Sequence, residues 1–137
     1  MTRDEFIQLL SRFVGLDLVK SFRSSSPTSY SYEVYADPKE KKRTQIIHVF
    51  LTDDEKDVIA YSEIGKYPSD SNTLIELLKE NFVGYYSRLC IFKDALVQVY
   101  RYPLKQLEFE ELTIALYEVA LFADIIEKNY FGGVDEG

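Results

Sequence analysis

The sequence predicts an α+β fold: a five-stranded antiparallel sheet with helices packed on it, in the order α-βββ-α-ββ-α. Two observations carry this. Apolar residues recur at helical spacing near both ends and once in the middle, and between those stretches the period drops to two. A third is composition. With 11 Tyr, 9 Phe and no Trp, the chain is rich in residues that pack well on pleated surfaces.

Thr2 and Glu5 have the spacing of a capping box, in which hydroxyl and carboxylate satisfy each other's backbone amides. Phe6, Leu9, Leu10, Phe13 and Val14 then form one stripe, and Gly15 is the expected stop. Ser24-Ser25-Ser26-Pro27 reads as a break that leads into the first strand. From Tyr30, alternate residues point to opposite faces through Tyr35. Asp37-Pro38 and the charged run to Arg43 make a turn, Thr44 to Leu51 a second strand, Thr52 to Lys56 another turn, and Asp57 to Ile64 a third strand. Strands joined by such short turns form an antiparallel meander.

Tyr67-Pro68-Ser69-Asp70-Ser71 supplies capping residues for a short amphipathic helix marked by Leu74, Ile75, Leu78 and Phe82 and closed by Gly84. Tyr85 to Phe92 and Leu96 to Tyr102 are two strands about a Lys93-Asp94 turn, ended by Pro103. The last helix runs from about Phe109 to Tyr130. Its first stripe is Phe109, Leu112, Leu116, Val119, Ala120, Ala123 and Ile126; its second, on a different side, is Ile114, Tyr117, Leu121 and Ile125. Residues 133–137 read as a frayed tail, and residues 1–137 as a single α+β domain.

The net charge of −7 disfavours nucleic acid and anionic membrane as partners, because phosphates must be neutralised by Lys and Arg. One cysteine, Cys90, cannot form an intrachain disulfide, and the N-terminus lacks a secretory pattern, so the expected location is cytoplasmic. The lone His48 and lone Cys90 cannot supply a zinc ligand set. A thiolate–imidazolium pair between them would still need an oxyanion site and an orienting third group. Asp53, Asp54, Glu55 and Asp57 lack the alternation and glycine of a calcium loop and read as a solvated turn. Lys39, Lys41, Lys42 and Arg43 read as solubilising charge on a hairpin. No phosphate-binding glycine loop, dinucleotide fingerprint or nucleophile elbow occurs. No catalytic, cofactor or metal site is expected.

The tyrosines remain. With Tyr30, Tyr32 and Val34 facing the helices alongside Ile47, Val49, Leu51, Leu89, Ile91, Val97 and Val99, the opposite face carries Tyr35, Phe50, Tyr86, Phe92, Tyr100 and Tyr102. Ser31, Glu33, His48, Arg88 and Gln98 are mixed among them. Large rings among polar groups compose a recognition surface, or else strand tyrosines showing their hydroxyls to water. The second stripe of the last helix must meet the first helix, a second copy or another protein, since a helix presents about a third of its circumference to one support. The candidate interface residues are therefore Tyr35, Tyr86, Tyr100, Tyr102, Tyr117 and Leu121.

The segment Leu77-Leu78-Lys79-Glu80-Asn81-Phe82, a hairpin, then Tyr102-Pro103-Leu104 before a long final helix resembles the type III secretion chaperone-like fold, whose superfamily includes the YbjN-type proteins. The element order agrees over nearly the full chain. Small residues after the second helix and a proline before the last are matched by Gly84 and Pro103. In general style the chain resembles short bacterial or cyanobacterial members. The resemblance implies a small acidic protein that binds another protein, often as a dimer, without enzymatic activity.

The expected function is thus a non-catalytic protein-binding module, chaperone-like or regulatory, with a protein or a second copy as partner and no cofactor. Two alternatives stand beside it: a small enzyme or ligand-binding domain with a pocket near Cys90 and His48, and a weak RNA-binding sheet.

Overall fold

A computed structural model describes residues 1–37 and 39–132. The elements are α1 (Arg3–Phe13), β1 (Val19–Ser26), β2 (Ser29–Tyr35), β3 (Thr44–Leu51), β4 (Asp57–Lys66), α2 (Ser71–Lys79), β5 (Arg88–Phe92), β6 (Ala95–Pro103) and α3 (Phe109–Phe131), with single 3-10 turns at Glu80–Phe82 and Leu104–Gln106. The tail expected at 133–137, and Pro38 in the first turn, lie outside the described residues.

The sheet has six strands, not the five expected from the sequence. Their order is β1-β2-β3-β4-β6-β5, every neighbouring pair antiparallel. The added strand is β1, where the serine run was read as a break. β1 is exposed almost throughout, so burial imposes no alternation on its side chains. Its ladder to β2 (Ser21 opposite Glu33, Ser24 opposite Tyr30) holds it by backbone hydrogen bonds, which leave no periodic trace in a sequence.

The capping box forms as expected: Glu5 N–H donates to the Thr2 hydroxyl at 3.2 Å, and Thr2 N–H donates to the Glu5 carboxylate at 3.0 Å. Phe6, Leu9, Leu10 and Phe13 are buried on one side of the sheet. The first α3 stripe is buried there too, so the two terminal helices share that face. They meet at Phe13 and Phe109, whose rings stack at 5.8 Å, with Arg12 over Phe109. Under them lie Tyr32, Val34, Ile47, Val49, Val58 and Ala60. α3 ends where Gly132 takes a left-handed conformation (φ 67°) that a side chain would oppose.

A smaller cluster, containing Ile64, Leu77, Leu89, Leu96, Ala123 and Ile126, fills the other end of this layer. Between the two clusters runs a band of buried polar side chains. Ser62 of β4 lies opposite Gln98 of β6. Gln98 donates to the Ser87 hydroxyl at 2.7 Å, and Ser87 donates to Glu118 at 2.7 Å. Gln45 donates to Glu127 at 3.0 Å. Among the described residues no buried side-chain nitrogen or oxygen is left without a partner, as burial of polar groups requires.

β6 corrects the facing expected from the sequence. Ala60 is opposite Tyr100 and Val58 opposite Tyr102, so Tyr100 and Tyr102 point to the helices, together with Gln98, while Val97 and Val99 lie on the open face. Tyr86 also lies on the helix side, its ring 6.4 Å from that of Tyr100. The expectation had placed branched aliphatics inside. The small Ala60 instead leaves room for the large Tyr100 ring, and a one-residue change of phase turns over a whole strand.

α2 carries a second reversal. Of its expected stripe of Leu74, Ile75, Leu78 and Phe82, Leu74 is half-buried and the other three point outward, and the residue it buries is Leu77.

Candidate functional site

The loop after α2 is held from above by α3. Glu118 accepts backbone N–H bonds from Tyr85 (2.8 Å), Tyr86 (2.8 Å) and Ser87 (2.6 Å), besides the Ser87 hydroxyl. Successive amides around one anion form a nest, here filled by the chain's own carboxylate. Gly84 is needed at its mouth, because a Cβ there would sit 2.5 Å from the Ser87 carbonyl oxygen. Asn81 closes the loop's other side, donating to the Leu89 carbonyl at 3.3 Å and accepting from the Leu89 amide.

This anchored loop displays apolar side chains. Phe82 is 94% exposed, Tyr85 83% and Val83 62%, and on α2 Leu78 is 59% and Ile75 51% exposed. The second α3 stripe continues the surface: Ile114 and Tyr117 are exposed, as is Ile125, and Leu121 is half-buried. Val83, Phe122 and Ile125 line a small cleft between the loop and α3. α1 does not cover this stripe. Eight large apolar residues on α2, this loop and α3 are thus uncovered.

Of the six residues expected at an interface, Tyr117 and Leu121 belong to this surface. Tyr35 lies on the open face, with the Lys41 ammonium 5.8 Å from its ring. Tyr100 is buried, and Tyr86 and Tyr102 are half-buried in the helix-side layer. Burial, with Glu111 beside it, pushes the Tyr100 hydroxyl well above its ordinary value. Ile75, Leu78, Phe82, Val83 and Tyr85 were not expected here. The signal was available, since Leu74, Ile75, Leu77 and Leu78 make α2 apolar on more than one side.

The open face carries Phe50, Phe92 and His48 as expected, joined by Ile59, Tyr61, Val97, Val99 and Cys90. His48 and Cys90 do not form a pair: β4 and β6 run between their strands, a separation of about 14 Å at the usual strand spacing. The His48 ring shares a 2.8 Å hydrogen bond with the Ser31 hydroxyl and lies tilted against the Tyr61 ring at 4.9 Å. Burial lowers its pKa, with Glu63 opposing. A histidine whose folded pKa is depressed is protonated first in the unfolded chain, so stability is lost as pH falls below the unfolded value. Urea melts between pH 8 and pH 5 are expected to show this loss, and His48→Gln to flatten that part of the profile.

Among the described residues, no group of three or more His, Cys, Asp or Glu could hold a metal ion. No helix among the described residues is long and apolar enough to cross a membrane. The basic run is not wholly solvated as expected. Arg43 turns inward, its Nε donating to Asp124 at 2.6 Å and Nη2 to Glu127 at 3.2 Å. The acidic turn is closed on itself, Asp54 accepting from the Thr52 hydroxyl (2.7 Å) and the Lys56 amide (3.1 Å).

No family model matches this chain, and no curated protein matches it in sequence. In structure it is similar to a chain of the HopA1–SchA chaperone–effector complex, with a TM-score of 0.57 at 7% identity, covering 85% of each chain. It is also similar to a chain of the complex of the Yersinia pestis type III secretion chaperone SycH with a stable fragment of YscM2, at TM-score 0.49 and 19% identity, covering 81% of this chain and 90% of that one. The first likeness is one of fold: the chain shares with that chain an α+β architecture of an antiparallel sheet with helices packed on it.

Proposed function

We propose that residues 1–137 act as one non-catalytic protein-binding module, chaperone-like in role, which holds a segment of another protein on the apolar surface built by α2, the Phe82–Tyr85 loop and α3. The observation that carries this reading is the uncovered apolar surface itself. Contiguous patches of that kind mark interaction sites in proteins that otherwise stay in solution. The Glu118 clamp adds to it, because a loop fixed by four hydrogen bonds has already lost the freedom that binding would otherwise cost. Likeness of fold to a chain of a chaperone–effector complex agrees with the role. A different protein is favoured over a second copy because a chain of net charge −7 repels itself at close approach. In this reading the protein is a YbjN-like member of the superfamily, works in the cytoplasm and needs no cofactor.

The double variant Phe82→Ser, Tyr85→Ser tests it. Both side chains are exposed, so melting temperature is expected to stay within a few degrees of the parent's. Light scattering of the pure parent is expected to give a monomer. Affinity capture from the native host is expected to retain one specific protein with the parent and lose it with the variant. A pure dimer that the variant dissociates would make this surface a self-interface, and a partner retained by the variant would move the site elsewhere.

A further inference from the structure

The open face of the sheet, away from the apolar surface, holds a hollow of about 450 Å³. That lies in the usual range for small-molecule sites, roughly 300–1,000 Å³ and mostly apolar with a few placed polar groups. Ile59, Val97 and Val99 form its floor. Three rings stand around it, Phe50 edge-on to Tyr61 at 6.3 Å and Tyr61 tilted against Phe92 at 6.2 Å. The hollow follows β6 and has a cation at each end, Lys93 at the β5–β6 turn and Arg101 beyond Val99, with no carboxylate in its lining.

The two cations are not equivalent. Arg101 gives Nε and Nη2 to the same oxygen of Asp57, at 2.9 and 2.8 Å, and its charge is answered there. The Lys93 ammonium lies 5.4 Å from the centre of the Phe92 ring and makes no ion pair among the described residues. In a chain of net charge −7, an unanswered cation at the mouth of an apolar trough selects for a negative group.

We infer that this hollow binds a free medium-chain fatty carboxylate. Its head group meets Lys93, its chain lies along β6 over Val97, Val99 and Ile59, and the Arg101 stem, fixed by Asp57, closes the far end. The rings of Tyr61, Phe92 and Phe50 cover the chain from the sides. This site is separate from the protein-binding surface and stands whether or not that reading holds.

Cys90 lines the hollow and is the chain's sole cysteine, so its alkylation reports occupancy of this place alone. Burial raises the thiol's pKa, and the reaction with iodoacetamide is run at alkaline pH on the full chain. Below its micelle concentration, dodecanoate is expected to slow alkylation about tenfold at roughly ten times its dissociation constant, by mass action. Dodecanol is expected to protect far less, and dodecyltrimethylammonium not at all. Lys93→Asn keeps a residue tolerant of the left-handed turn (φ 55°) and is expected to reduce dodecanoate protection to that of dodecanol, with unchanged melting. No protection, equal protection by all three head groups, or full protection persisting in Lys93→Asn would each overturn the assignment.

Discussion

Arg43→Ala is expected to destabilise the protein by about 3 kcal/mol, toward the lower end of the cost of breaking a buried ion pair by removing one partner. The Arg43 side chain is one-third exposed, whereas the Asp124 and Glu127 side chains it serves are 5% and 0% exposed. Asp124 keeps Lys128 at 3.3 Å. Glu127 keeps the Gln45 amide but loses the Arg43 guanidinium. The cost comes from stranding the carboxylate charge more than from the attraction lost. Arg43→Met with Glu127→Leu, which removes both charges together, is therefore expected to recover part of the stability, the remainder being lost because the buried Gln45 amide no longer has its Glu127 acceptor. Urea denaturation of the three proteins checks this. A loss below 1 kcal/mol in the single variant would mean that water reaches Glu127.

Glu118→Ala is expected to cost about 3 kcal/mol as well, by a different route. Four donors converge on this carboxylate, and the Ser87 amide among them is buried. An orphaned buried donor costs roughly 1–3 kcal/mol, and the more exposed Tyr85 amide can turn to water. Glu118→Gln keeps the shape but sets an NH2 group against N–H donors, so about 2 kcal/mol is expected to be lost. Hydrogen exchange separates local from global effects. The amides of residues 85–87 are expected to lose protection in both variants, while those of β3 and β4 fall only by the change in global stability. Protection retained at 85–87 would show that the loop stands without the clamp. Because the loop carries Tyr85 and adjoins Phe82, its release is also expected to weaken partner binding through disorder, with no binding side chain removed.

The sequence by itself determined the features that depend on neighbours along the chain. The Thr2–Glu5 box, the Phe6–Phe13 stripe, the alternation through β2 and β3 and the Lys93 turn follow from local spacing and local hydrogen bonds, and so they were legible. The two-sided character of α3 was legible as well, and its second stripe does lie uncovered, with Tyr117 exposed and Leu121 half-buried. Only the tertiary structure decided what depends on pairing. β1 is a strand because β2 offers it a ladder, and an exposed strand imprints no pattern on its side chains. The inward turn of Tyr100, Tyr102 and Gln98 was set by register against β4, where Ala60 makes room for a ring that no run of β6 residues announces. Arg43 reads as one more surface cation until residues 81 and 84 positions away, Asp124 and Glu127, are brought against it. Glu118 likewise gains its role from three amides more than 30 positions back. Charges and amides find such partners through space, and their pairing energy depends on distance and burial, neither of which is written in the order of residues.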